Sequence, residues 1–212
     1  MQKIHSAAIL AGGRSSRMGQ PKQTLNINGK TFLQIQTEKL LKAGFNDIIV
    51  SCGAENGSGS DFSTAENTGA LPRCVRTVRD SKKDLGPLEG LRAVLEESKS
   101  QLCFVISVDA ILVKTSTIRR LADLAKSGGS PITLLASPSG PEPLIGFYGK
   151  DLAKDAAELL STGHGAVRGL FKLYSPQLLE LNEGDPQLLN CNTPEDFKLL
   201  KATCSIDPSM IE

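Results

Sequence analysis

The amino-acid sequence predicts an α/β fold: a three-layer sandwich on a mostly parallel sheet, with a small antiparallel lobe. Three observations lead there. Short continuous apolar runs (Ala7-Ala8-Ile9-Leu10, Ile48-Ile49-Val50, Phe104-Val105-Ile106) have the composition of strands buried on both faces. Segments with helical spacing of apolar residues alternate with these runs, as crossovers between parallel strands require. Two further strand-like runs, within 132–148, follow one another with no helix between them, and this break supplies the antiparallel part.

Taken in chain order, Ile4–Leu10 reads as a buried strand. Phe32, Ile35, Leu40 and Leu41 predict a helix over Thr31–Ala43, with Gly44 closing its C-terminus. Asp47–Cys52 is a second strand, and the glycine- and serine-rich stretch 53–60 that follows is expected to be flexible. Cys74–Val78 is a short third strand. Leu88, Leu91, Val94 and Leu95 predict a helix over Pro87–Glu97, and Leu102–Val108 is a strongly apolar fourth strand ending at Asp109. Further helices are expected at Ser116–Lys126, Asp151–Leu160, Ala166–Lys172 and Pro194–Lys201. Strands are expected at Ile132–Ala136 and Leu144–Tyr148, joined by the Pro/Gly-rich Ser137–Pro143. No repeat or shift in composition divides the chain, so residues 1–204 read as one domain and 205–212 as a frayed tail.

Composition narrows the function. With 212 residues, 40% of them hydrophobic, the chain can bury a substantial core. A net charge of +1 gives no global attraction to nucleic acid or membrane, so neither is an expected partner. Trp is absent and aromatics are 4%, which disfavours a base-stacking platform. Cys52, Cys74, Cys103, Cys191 and Cys204 lack CxxC spacing and read as buried free thiols of a reducing compartment rather than a zinc site. No apolar run approaches the roughly 20 residues that span a bilayer, so a soluble cytoplasmic protein is expected.

Leu10-Ala11-Gly12-Gly13-Arg14-Ser15-Ser16-Arg17-Met18-Gly19-Gln20-Pro21-Lys22 carries the clearest chemistry. Two adjacent glycines let backbone N–H groups approach an anion, and Arg14, Arg17 and Lys22 add three cations. That combination suits a nucleoside triphosphate. The expected architecture is Rossmann-like, yet both G-x-G-x-x-G and G-x-x-x-x-G-K-[ST] are absent, which disfavours a dinucleotide site or a P-loop. Gly12, Ser51, Asp80 and Asp109 fall at predicted strand ends, where open α/β sheets bind ligands, so one crevice is expected to gather them. By position alone, Asp109 suits either a Mg²⁺ ligand or a turn or helix cap.

The opening loop resembles the signature of the molybdenum cofactor guanylyltransferase family. Its Leu10-Ala11-Gly12-Gly13 form is similar to the guanylyl enzymes, whereas the related cytidylyl enzymes more often read Leu-Ala-Ala-Gly. Asp80 with Gly86-Pro87-Leu88-Glu89-Gly90, Pro143-Leu144 with Tyr148, and Asn190-Cys191-Asn192-Thr193-Pro194-Glu195-Asp196 resemble three further family segments. Two positions depart: Asp109-Ala110-Ile111 lacks the family's proline two residues after the aspartate, and Ser51 stands where guanylyl enzymes tend to carry Asn.

The resemblance implies direct transfer of GMP from GTP to the phosphate of molybdopterin or the molybdenum cofactor, with Mg²⁺ as cofactor. Leu10, Ala11, Gly12 and Gly13 would wrap the triphosphate, with Ser51 and Asp80 on the nucleotide side. Arg17 and Lys22 would neutralise phosphate charge, and Asp109 would hold the metal. Asn190 and Asn192 would meet the acceptor, which the 142–148 strand would line. Molybdoenzymes or their chaperones are candidate recipients of the product. Two alternatives stay open: cytidylyl transfer or another phosphorylated acceptor, and a nucleotide-binding regulatory protein with a weakened site. His164, in the loop 161–165, is a minor candidate for closing over substrate.

Overall fold

The computed structural model describes residues 6–12, 21–53, 72–79, 85–207 and 211. Its centre is a seven-stranded sheet ordered β5-β4-β1-β6-β8-β7-β9. The strands are β1 (Ser6–Leu10), β4 (Asp47–Cys52), β5 (Val75–Arg79), β6 (Leu102–Ser107), β7 (Ile132–Ser137), β8 (Gly140–Gly149) and β9 (Gln177–Glu180). Their pairings are parallel except at β8, which runs against both β6 and β7. The antiparallel part is therefore built into the main sheet. A separate two-stranded ribbon, β2 (Asn26–Ile27) with β3 (Lys30–Thr31), precedes the first helix.

Helices cover both faces of the sheet. On one side α1 (Phe32–Ala43), α3 (Thr115–Lys126) and α5 (Pro194–Ile206) enclose Ala7, Ile9, Ile48, Val50, Phe104 and Ile106. On the other, α2 (Pro87–Glu97) and α4 (Leu152–Ser161) enclose Ala8, Leu10, Ile49, Cys103 and Val105. Alternation along each strand sends successive side chains into opposite layers, which is why these runs are apolar throughout. Phe104 joins Phe45 and Phe147 at centroid separations of 5.8 and 5.1 Å, and Phe32 meets Phe197 edge-on at 5.9 Å to lock α1 to α5.

Local chemistry sets the helix ends. Thr31 and Gln34 form a capping box at the start of α1, and Gly44 ends it in the left-handed conformation. Thr193 and Asp196 form a second box at the start of α5, with Pro194 in the first turn, where its missing N–H is harmless. Three boundaries differ from the sequence expectation. Ser137–Pro143 is a tight hairpin whose second arm begins at Gly140. Val167–Lys172 is a 3₁₀ helix, and α5 runs on to Ile206, five residues past Lys201.

Candidate active site

Three parallel strands end side by side. Leu10 of β1 lies between Ser51 of β4 and Ser107 of β6 in register, so whatever follows these strands emerges at one edge. The crossing is tied by backbone bonds: Ala11 N–H donates to Ser51 O at 3.0 Å, and Val108 N–H donates to Leu10 O at 3.1 Å. Because β8 is antiparallel, Ile145 pairs with Ile106, and residues 142–144 reach beyond the end of β6 toward the same edge.

Asp109 sits in the turn after β6, 8% exposed. Ala110 N–H donates to Ser107 O at 3.2 Å, so the turn closes with Ile111 where the resemblance expects proline. Ser107 Oγ donates to Asp109 Oδ1 at 2.7 Å, fixing the carboxylate's rotation. On the other oxygen, Lys22 Nζ donates to Oδ2 at 2.5 Å. The same ammonium donates to Asn192 Oδ1 at 2.7 Å. Lys22 opens a 3₁₀ turn (Lys22–Thr24) after the glycine loop, and Asn192 precedes the α5 cap. Segments 87 and 170 residues away from Lys22 thus converge on one cation.

Asn192 is held from behind. The Asp196 carboxylate accepts from the N–H groups of Asn192 and Thr193 at 2.9 and 2.8 Å, and these bonds lower its pKa below the usual carboxylate range. Cys191 alternates with its neighbours: its side chain is buried in the core, while Asn190 and Asn192 line the cleft. Burial pushes the Cys191 thiol up to about 11, which favours its protonated form at neutral pH.

The cleft holds about 450 Å³, room for a small-molecule substrate. Asp109, Asn190 and Asn192 face Gly86 and Pro87 at the start of α2, Glu142–Ile145 of β8 and Gly165–Arg168. Asn190 Oδ1 is buried there with no hydrogen-bond partner among the described residues, an acceptor that a ligand donor would satisfy. One wall rests on a backbone crossing. Gly165 O accepts from Leu88 N–H at 3.1 Å, and a Cβ on Gly165 would stand 2.1 Å from Leu85 O.

Of the residues singled out by sequence, Lys22, Asp109, Asn190 and Asn192 are brought together, and the 142–145 segment faces them. Leu10, Ala11 and Gly12 lie at the end of β1, with Gly12 exposed. Ser51 is 1% exposed within β4, beneath that edge. Gly13, Arg17 and Asp80 lie outside the described residues, as does most of 53–60. His164 is exposed and pairs with Thr162 at 3.0 Å; its neighbour Gly165 is the one that lines the cleft. Sequence reasoning missed Ser107, Gly165 and Arg168. The only signal for Ser107 was a hydroxyl two residues before an aspartate at a strand end.

Comparison with known proteins decides the family. A family model described as "MobA-like NTP transferase domain" matches residues 7–180. The chain belongs to that family. It is 30% identical over 206 residues to a Methanosarcina mazei protein named "Probable molybdenum cofactor guanylyltransferase", covering 93% of this chain and 90% of the relative. A Peptoclostridium acidaminophilum protein of the same name is 32% identical over 206 residues, covering 91% and 86%. The fold matches the Archaeoglobus fulgidus "Molybdopterin-guanine dinucleotide biosynthesis protein A" with TM-score 0.74 at 22% identity, covering 95% of this chain and 99% of the other. A Mycobacterium tuberculosis protein crystallised in complex with manganese superimposes with TM-score 0.69 at 22% identity, over 95% of this chain and 100% of that one. This MobA-like protein is a nucleotidyltransferase, and none of its described helices is long and apolar enough to cross a membrane.

Proposed function

We propose that the protein transfers GMP from GTP to the terminal phosphate of molybdopterin or the molybdenum cofactor. An acceptor phosphate oxygen attacks the α-phosphorus. The bond from that phosphorus to the β,γ unit breaks, and pyrophosphate leaves with the electron pair. The observation that carries the reading is the Lys22–Asp109–Asn192 contact at the mouth of the cleft, next to the end of β1 where the glycine loop begins. The relatives' name, molybdenum cofactor guanylyltransferase, supports GTP and a molybdenum-cofactor acceptor.

The attacking phosphate is already an anion, so the protein's task is to bring two polyanions together rather than to remove a proton. Lys22 and the N–H groups of Gly12 and Gly13 would supply positive ends for the triphosphate, with Arg17 as a further cation and Asp80 and Ser51 on the nucleotide side. Asn190 and Asn192 offer amides to the acceptor along the wall made by Glu142–Ile145. Asp109 fits a divalent cation: its carboxylate lines the cleft, and one oxygen already holds a cationic group, the Lys22 ammonium. Mg²⁺ bound there would stabilise charge on the phosphates. The relative crystallised with manganese supports a divalent ion.

The test is incubation of the purified protein with molybdopterin and either Mg²⁺-GTP or Mg²⁺-CTP, with mass detection of the dinucleotide and assay of pyrophosphate. The guanine dinucleotide is the expected product. Asp109→Asn should lower kcat/KM by about 10²–10³-fold, as loss of one electrostatic group at a reacting phosphate does. A cytosine product, or full turnover by Asp109→Asn, would overturn the base assignment or the Asp109 assignment respectively.

A further inference from the structure

Helix α1 carries three polar side chains where its neighbours are core, Gln36, Thr37 and Lys39, and Gln36 and Lys39 reach across to another segment. Phe32, Leu33, Ile35 and Leu40 are fully or almost fully buried, and so are Gln36 and Lys39, at 0% and 1% exposure. Residues three apart on a helix share a face. Both side chains point at one stretch of backbone, the turn that follows β6. Gln36 Nε2 donates to Ser107 O at 3.0 Å, two residues before Asp109. Lys39 Nζ donates to Ile111 O, two residues after it. Burying a donor is unfavourable unless it finds a partner, and Gln36 Nε2 and Lys39 Nζ each use a carbonyl of the same turn, although Gln36 Oε1 has no hydrogen-bond partner among the described residues.

We propose that Gln36 and Lys39 are positioning residues for Asp109, gripping the backbone on either side of the carboxylate and holding it at the mouth of the cleft. The grip reaches the side chain through Ser107, whose carbonyl is held by Gln36 and whose hydroxyl donates to Asp109 Oδ1. Ile111 is itself fully buried, so Lys39 fixes the point at which the chain re-enters the core. Without these two donors, the turn keeps the backbone bonds Val108 N–H to Leu10 O, Ala110 N–H to Ser107 O and Val113 N–H to Ala110 O, the side-chain contacts of Asp109 with Ser107 and Lys22, and side-chain packing. The functional weight given to Asp109 rests on the reading under Proposed function, whereas the grip on the turn is independent of it.

The experiment uses Gln36→Met and Lys39→Met in the full chain, which keep side-chain length and remove the donor. Asp109→Asn is the reference, and Ile35→Val is the control for lost packing on the same helix. Three readouts are taken: amide hydrogen exchange over residues 107–113, kcat and KM for GTP, and the Mn²⁺ concentration giving half-maximal turnover. In both Met variants, exchange over 107–113 should accelerate about tenfold, and kcat should fall by about tenfold to a hundredfold, the scale of an ångström-sized misplacement. KM for GTP should stay within about twofold, and the half-saturating Mn²⁺ concentration should rise. Ile35→Val should lower the thermal midpoint while leaving exchange over 107–113 and kcat at wild-type values. Met variants with wild-type exchange and kcat, beside an inactive Asp109→Asn, would overturn the proposal. Full activity in Asp109→Asn would instead sink the Asp109 reading, and the exchange data alone would then judge the grip. Should Lys39→Met fail to fold, Gln36→Met carries the same expectations.

Discussion

Lys22 reaches two partners at once, and that double contact gives it a second role beyond charge. It belongs to the segment after the glycine loop, yet its ammonium rests on the Asp109 carboxylate and the Asn192 amide. A cation that neutralises a carboxylate also competes with any metal for it. Lys22→Met should therefore do two things that usually move together in opposite directions. Turnover should fall by about 10²–10³-fold through loss of phosphate stabilisation. Mn²⁺ should bind the nucleotide-free protein several-fold more tightly, because Asp109 Oδ2 no longer holds an ammonium. Steady-state kinetics beside a Mn²⁺ titration checks both, and a lower turnover with unchanged or weaker Mn²⁺ binding would remove the competition from the account. The residue types were legible in sequence: glycines, a lysine and a strand-end aspartate are what phosphate chemistry uses. Their partners were not. Nothing local ties Lys22 to Asn192, and Gln36 and Lys39 read as ordinary polar helix residues until the turn they grip is in place.

At the level of elements, the cleft depends on how the 162–166 loop lies across the start of α2. Gly86 has φ +79°, and a Cβ there would stand 2.7 Å from Gly165 O. Neither backbone can yield as a flexible side chain would. Gly165→Ala should force the two segments apart, destabilise the protein by about 1–3 kcal/mol and raise KM for the acceptor more than KM for GTP. Gly163→Ala is the control: φ is +83° but the space is open, so strain without a clash should leave both KM values unchanged. Equal KM effects from the two variants would detach the crossing from the cleft. Sequence pattern located the long elements because their caps and apolar faces agree, as Thr31–Gln34 and Gly44 do around α1. It lost β9, four residues at the sheet edge with Leu178 exposed, because one apolar face and so short a run resemble a loop. It also took the start of β8 for a linker on account of Pro141 and Pro143. Those prolines are tolerated because the β6 pairing stops at Ile145, leaving the N-terminal arm with a ladder on the β7 side only.

At the scale of the whole molecule, buried titratable groups set how stability answers to pH, and between about pH 7 and 10 an amine and several thiols among the described residues act in opposite directions. Burial lowers the Lys39 amine from 10.5 to about 7, with the nearby Cys204 thiol acting the other way. Between those values the unfolded chain holds a proton that the folded chain does not, so stability rises with pH by up to about 1.4 kcal/mol per unit. Burial raises the thiols of Cys103 and Cys191 from 9.0 to about 12 and about 11, and that of Cys204 in the same direction. Above about pH 9 the unfolded chain sheds thiol protons that the folded chain keeps, so Cys103 and Cys191 each subtract a similar slope and together outweigh the lysine, with Cys204 acting in the same direction. Stability should accordingly climb from pH 7 to a maximum near pH 9 and then decline. Lys39→Met removes only the amine. Its curve should be flat from pH 7 to about 8.5 and then fall. Chemical denaturation under reducing conditions at half-unit pH steps measures both curves. A wild-type profile that is flat or falling between pH 7 and 8.5, or a Lys39→Met profile that keeps the rise, would show that Lys39 is not the group responsible.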